Sequence, residues 1–191
     1  PYAVVANPDD TPKAIFISAF SDMPLAADVN VALKGKEKDF QTGVDALAKI
    51  AKVHVGIKSG SILASTKNAE VTEFQGKCPA GNVGVQINHI SPVNKGEVVW
   101  TLAAEEVAMI GHLFNEGKVV LERNIAVAGS EIKDPQYKTV MIGARIGDIV
   151  KNNVNTDKKV RLIDGNPLTG VQTSADSFLM AHSTEVTAIP E

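Results

Sequence analysis

Cys78 is the only cysteine in 191 residues. A single thiol excludes an internal disulfide and an all-cysteine iron–sulfur site, and it suits a reducing, cytosolic setting. No stretch approaches 18 uninterrupted apolar residues, so none reads as a membrane-spanning helix. No basic region followed by an apolar run marks a signal peptide. Lys and Arg number 19 against 22 Asp and Glu, a formal net charge of -3. A nucleic-acid binder would carry a basic stripe, so that partner class is excluded. None of the 15 glycines lies two positions from another, which rules out the G-x-G-x-x-G dinucleotide fingerprint. The Walker A pattern fails as well, because Asn82 and Val83 follow Gly81 where Lys and Ser/Thr are required.

Catalytic groupings are equally sparse. His54, His89, His112 and His182 stand far apart and show no metal-ligand spacing. His54 lies on an expected strand and reads as a structural residue; His112 falls on the solvent side of a mostly apolar helix. Ser59 and Ser61 flank Gly60 without forming a nucleophile elbow. No triad and no carboxylate pair assembles.

What the chain does contain is a dense turn, Gly76-Lys77-Cys78-Pro79-Ala80-Gly81-Asn82-Val83-Gly84, running on to Ser91-Pro92-Val93. Val83, Ile87 and Ile90 fall on one helix face, although Val83, Val85 and Ile87 also alternate as on a strand. The helix is favoured, because Ser91 must leave the helical region ahead of Pro92. A glycine turn at a helix N-terminus is a place where anions are stabilised; the alternative reading, and the commoner one, is a tight turn that only packs the helix. The candidate ligand- or interface-facing residues are therefore Gly76, Cys78, Pro79, Ala80, Gly81, Gly84 and His89. Cys78 flanks the helix start, and His89 closes the segment.

In chain order, residues 1–12 are too rich in Pro and Asp for a central element. Ala14 to Phe20 reads as a buried strand, Phe40 to Ala51 as an amphipathic helix, and Val53 to Ile57 as a second strand. Together they make a β-α-β crossover. A short helix is expected over Ser61 to Lys67 and a third strand at Val71 to Phe74. A second amphipathic helix follows Val98-Val99-Trp100. Thr101 is its expected N-cap, and Ala103, Val107, Ile110 and Phe114 form its apolar face. Gly117 caps its end, and Trp100 anchors it to the sheet with its N–H partnered. Beyond Gly117 come strands at Arg123–Gly129 and Lys138–Ile142, a small helix from Ala144 to Val150, and a strand at Val160–Ile163. A turn at Asp164–Pro167 and strands at Ser177–Met180 and Thr184–Ala188 complete the chain. Two strands, a helix and more strands is the β-grasp order. The expected fold is α/β: a Rossmann-like layered domain over 1–119, then a β-grasp α+β domain over 120–191.

These residues carry a family resemblance. Gly76 to Gly81 with Gly84 resembles the H-P-A-G-x-x-G motif of the A subunit of the bacterial sodium-translocating NADH:quinone reductases. Thr11 to Phe16, Pro24 to Asp28, Lys38 to Gly43, Val99 to Thr101, Ala108 to Phe114, Ile125 to Gly129 and Gly143 to Gly147 follow in the family's order. The resemblance implies a Rossmann-like domain followed by a β-grasp domain, distantly similar to the flavoprotein subunit of respiratory complex I. It implies assembly with other subunits of a membrane pump, at the cytoplasmic face of the bacterial inner membrane, with contact to quinone open to this segment. NADH, flavins and quinone serve the whole complex; the resemblance gives this segment no cofactor of its own and no NADH-oxidising role. A chain that opens at Pro1 rather than methionine is expected of a piece of a longer protein.

The sequence departs from the family at Cys78, which replaces the motif's histidine, and at Val85-Gln86-Ile87-Asn88, where relatives carry T-H-I-H. The flavin loop of the complex I flavoprotein is also missing. Two rival classes follow from the residues alone: a flavin- or nucleotide-dependent enzyme domain, and a β-grasp ligand-binding module.

Overall fold

The computed structural model describes residues 4–155, 157 and 159–191. Pro1–Ala3, part of the proline- and aspartate-rich lead-in, lie outside the described residues. Two compact units emerge. The first holds the chain up to Asp22 together with Leu33–Val120; the second holds Met23–Ala32 and Leu121–Glu191.

The first unit is built on four parallel strands: β1 (Ala14–Ser18), β2 (Lys52–Ile57), β3 (Glu70–Glu73) and β4 (Val99–Ala103), in the order β3-β2-β1-β4. The apolar runs of β1 and β2 are buried nearly throughout, as a parallel sheet covered on both faces requires. Helix α2 (Glu37–Leu47) carries the chain from β1 to β2, and α3 (Val83–Ile90) carries it back from β3 past both to β4. The two connections run in opposite directions along the sheet, and the right-handed rule for parallel crossovers then sets α2 and α3 on opposite faces. On the α3 face Phe16 packs with Ile87, Val83, Ile90 and Val99. Helix α4 (Ala104–Glu116) packs along α2. The reversal of direction between β1 and β4 is the switch point where folds of this kind place their ligands.

The second unit has the order β6-β5-β9-β7-β8. The hairpin β5 (Glu122–Ala128) and β6 (Gln136–Met141) leads into a single helical turn, α5 (Ile146–Ile149). Strands β7 (Val160–Asp164) and β8 (Val171–Thr173) follow, and β9 (Glu185–Pro190) is inserted at the centre, parallel to β5 and antiparallel to β7. This is the β-grasp arrangement. Its core gathers Ile125, Val127, Ile146, Ile149, Leu179 and Val186. Helix α1 (Val29–Ala32) also belongs to this unit.

Several local expectations are corrected. Residues 61–67 form successive turns rather than a helix, with i to i−3 bonds from Ala64 to Ser61 and from Thr66 to Leu63. Ser61 Oγ and Thr66 Oγ1 bond to nearby backbone there and compete with a helical ladder. Thr101 is no N-cap, because the register with β1 extends β4 to Ala103. The cap is instead the Glu106 carboxylate, which accepts the Ala103 N–H at 2.9 Å. The buried stripe of α4 is Ala104, Val107, Ala108 and Gly111, while Phe114 is 66% exposed. Trp100 sits on β4 opposite Ile15, and its buried Nε1 has no partner. Residues 177–180 make one isolated bridge, Phe178 to Arg145, rather than a strand. Gly117 caps α4 with φ of 69°, as its position implies.

Candidate functional site

The turn begins where β3 ends. Ala80 N–H donates to the Lys77 carbonyl at 3.1 Å and Asn82 N–H to the Pro79 carbonyl at 2.9 Å, so two tight turns follow one another. Gly76 has φ of 147°, a backbone region that disfavours any side chain, and the Cys78–Pro79 bond is cis. Gly76, Lys77, Cys78 and Pro79 are exposed, and the Cys78 thiol is free. Ala80 and Gly81 are half-buried.

Asn82 starts the helix. Its Oδ1 accepts the Gly84 N–H at 2.8 Å, and its carbonyl takes the N–H groups of Val85 and Gln86. Donors that an anion would use are thus engaged within the chain itself. A side-chain acceptor just ahead of an apolar run is a readable N-cap signal.

The inner side of the turn rests on the C-terminal end of β1. Ser18 Oγ donates to the Gly81 carbonyl at 3.0 Å. Gln86, 1% exposed, donates from Nε2 to Ser18 Oγ and to the Ala80 carbonyl, each at 3.3 Å. The Gln86 amide lies over Gly56 of β2, where a Cβ would meet Oε1 at 2.2 Å. A Cβ on Gly81 would stand 2.9 Å from Asp22 Oδ1 and 3.0 Å from the Asp22 nitrogen. The second carboxylate oxygen of Asp22 is buried without a partner.

A nucleotide-binding α/β domain needs free N–H groups and open space at this point. Here it holds a carboxylate, a peptide carbonyl and a buried amide side chain. The residues present do not fit a phosphate. Nothing in the motif itself announced Ser18, Asp22 or Gln86, because their role comes from the sheet register.

The structure therefore brings Gly76 through Gly84 into one turn and leaves His89 apart. His89 is exposed on the last turn of α3, about 9 Å along the axis from Val83 at 1.5 Å per residue.

His54 and His112 make structural contacts. His54 is buried and stacks on Phe16, with centroids 4.8 Å apart and planes 12° from parallel. Burial pushes its imidazole below the ordinary value; the Glu70 carboxylate, 3.4 Å from Nδ1, pulls it up, and Lys52 adds a push down. His112 does not simply face solvent, because its Nδ1 lies 2.9 Å from Asp39 Oδ2 across the α2–α4 contact. A shallow recess of about 280 Å³ lies at the opposite end of the strands, lined by residues that include Ala48, Lys52, Asn68 and Glu70. Among the described residues no cluster of His, Cys, Asp and Glu is arranged to hold a metal.

Residues 1–119 match the family model described as the NqrA second alpha/beta domain, and residues 124–175 match the NQRA C-terminal domain. The chain belongs to the NqrA family. Relatives bearing the name of the A subunit of Na(+)-translocating NADH-quinone reductase include those of Neisseria meningitidis serogroup B, 34% identical, and Actinobacillus succinogenes, 32% identical. Both alignments cover 100% of this chain, but only 44% and 43% of those proteins, so the chain spans less than half the length of these NqrA relatives. Among solved structures, an NAD+-reducing [NiFe]-hydrogenase in the H2-reduced state superposes over 94% of this chain and 41% of its own. Its TM-score is 0.65 at 12% identity, a likeness of fold. The same hydrogenase in the air-oxidized state gives a TM-score of 0.63, again at 12% identity. Among the described residues of this NqrA chain, no helix is long and apolar enough to cross a membrane.

Proposed function

We propose that this chain is part of the peripheral NqrA subunit of a respiratory Na+-translocating NADH:quinone reductase, at the cytoplasmic face of the bacterial inner membrane. It serves assembly of the pump and neither oxidises NADH nor holds a flavin. Its glycine turn faces a quinone headgroup or a neighbouring subunit. NADH, flavins and quinone are used by the complex as a whole.

One observation carries the reading. The C-terminal end of β1, where a Rossmann-like domain grips phosphate, is filled by Gly81 and Gln86 and carries the Asp22 carboxylate. Asp22 Oδ2 is buried with no hydrogen-bond partner, and a carboxyl group placed there offers a phosphate no N–H donor. What the turn leaves outward, Gly76 to Pro79 with Cys78, is exposed surface available to a partner.

The reading is tested by photo-crosslinking a quinone analogue to the intact complex and mapping labelled peptides by mass spectrometry. Label between Gly76 and Val93 supports quinone contact. Label confined elsewhere, together with no crosslink from Cys78 to a neighbouring subunit, overturns the role of the turn while sparing the family assignment.

A further inference from the structure

We propose that residues 23–32 form a strap that latches onto the β-grasp sheet and opens and closes with it as one cooperative element. The proposal does not depend on the family reading. The segment Met23-Pro24-Leu25-Ala26-Ala27-Asp28-Val29-Asn30-Val31-Ala32 follows Asp22 directly, in the connection that would carry a phosphate loop in a nucleotide binder. Its residues group with the second unit instead.

Side chains of that unit satisfy the strap's backbone. Glu185 of β9, 5% exposed, accepts the Ala27 N–H on Oε2 at 3.4 Å and the Thr184 hydroxyl at 2.5 Å. Tyr137 of β6 accepts the Asp28 N–H on its hydroxyl at 2.8 Å. Asn124 of β5 donates from Nδ2 to the Ala32 carbonyl at 3.1 Å, and Thr139 holds the Asn124 amide by donating to its Oδ1 at 2.7 Å. Three strands therefore supply one polar latch each, and Ala27 and Ala32 are buried between those latches.

A second observation points the same way. Leu25 has φ of 62°, a left-handed conformation unfavourable for leucine, and its side chain is 43% exposed. Packing of that side chain gives little in return, so the conformation persists because neighbouring contacts impose it. Leu25 stands third in a turn closed by the Ala26 N–H on the Met23 carbonyl at 3.3 Å, and the latches begin directly after it at Ala27. Buried Glu185 also needs its donors: a carboxylate out of water is costly unless hydrogen bonds replace the water it lost. Releasing the strap removes one of the two donors and leaves the chain after Asp22 untethered.

Hydrogen exchange read by mass spectrometry on the full chain tests this. Conservative core variants loosen one unit at a time: Phe40→Leu in the first, Ile146→Val in the second. We expect the amides of residues 25–32 to exchange faster in Ile146→Val, in step with Glu122–Ala128, and to keep their wild-type rate in Phe40→Leu. Tyr137→Phe should speed strap exchange about tenfold, the equivalent of one hydrogen bond, without changing Ala14–Ser18. Strap amides that follow Phe40→Leu, or that are unprotected in the wild-type chain, would overturn the proposal.

Discussion

Gly111 of α4 lies directly on Asp39 of α2: a Cβ placed at 111 would stand 1.6 Å from the Asp39 carbonyl oxygen. One turn away the contact is reciprocated, since a Cβ on Gly43 would meet the Val107 carbonyl oxygen at 2.1 Å. Both obstacles are backbone, so neither can swing aside. We expect Gly111→Ala to force the helices apart and cost about 3 kcal/mol or more, the upper range for overpacking. Denaturant unfolding followed by the emission of Trp100, the only tryptophan, reads this change in the first unit. A variant within about 0.5 kcal/mol of wild type would show that the two helices are not so closely joined.

The side chain of Asp39 adds a pH dependence to the same contact. Burial raises its carboxyl, but hydrogen bonds from Asn115 and His112, with the charges of His112 and Lys38, outweigh that and hold it below its ordinary value of 3.8. The folded value lies under the unfolded one. The stabilisation is therefore complete above the unfolded value and is lost as pH falls through the folded value. Asp39→Asn should flatten this acid limb of the stability curve. Asn115→Ala, which removes the 2.7 Å bond to Oδ1, should cost about 1.5 kcal/mol at neutral pH and less in acid. An unchanged acid limb in Asp39→Asn contradicts the assignment.

His54 acts at a higher pH. Burial holds its imidazole below the ordinary value of 6.5, against the upward pull of Glu70. The unfolded chain takes up a proton at this residue while the folded chain still resists one. Stability is thus full above about pH 6.5 and falls as pH drops toward and through the depressed folded value. His54→Phe keeps a ring against Phe16 and removes the titration. Its unfolding free energy should be flatter between about pH 7 and about pH 5, and a slope equal to wild type would place the effect elsewhere.

The turn is held by Gln86 more than by its glycines' freedom. Gln86→Ala removes the two 3.3 Å bonds and empties the space over Gly56, an expected loss of about 2 to 3 kcal/mol. Gly81→Ala should instead push the turn off Asp22 at a smaller cost: the carboxylate oxygen at 2.9 Å can rotate, and the Asp22 backbone nitrogen at 3.0 Å asks only for a small shift of the turn. Exchange at Ala80 and Asn82 separates the two outcomes. Equal behaviour of both variants would contradict the account of the turn.

Elements whose own residues decide them were legible in the sequence. The apolar runs of β1 and β2, the helix between them, the Gly117 cap and the helix after the glycine turn all lie where the pattern places them. The errors arise where a distant partner decides. Thr101 has a cap's chemistry, yet β1 is long enough to keep it in the sheet. Phe114 has helical spacing, yet close approach at Gly43 and Gly111 rewards small residues and turns the phenyl ring out. The edge strand of the β-grasp sheet, β8 at Val171–Thr173, is too short and polar to show any alternation. The candidate turn was visible by its glycines, but Ser18, Asp22 and Gln86 converge only once the parallel sheet sets β1 beside β2.

The most direct test of the assembly reading is calorimetric titration of the chain with FMN and with NADH, with hydrogen exchange at Ser18–Asp22 measured in parallel. On the assembly reading, with the turn packed against Ser18 and Asp22 at the end of β1, neither nucleotide should give saturable heat up to about millimolar concentration, and exchange should not change. Saturable binding of either at about micromolar concentration, with protection of those amides, would contradict it.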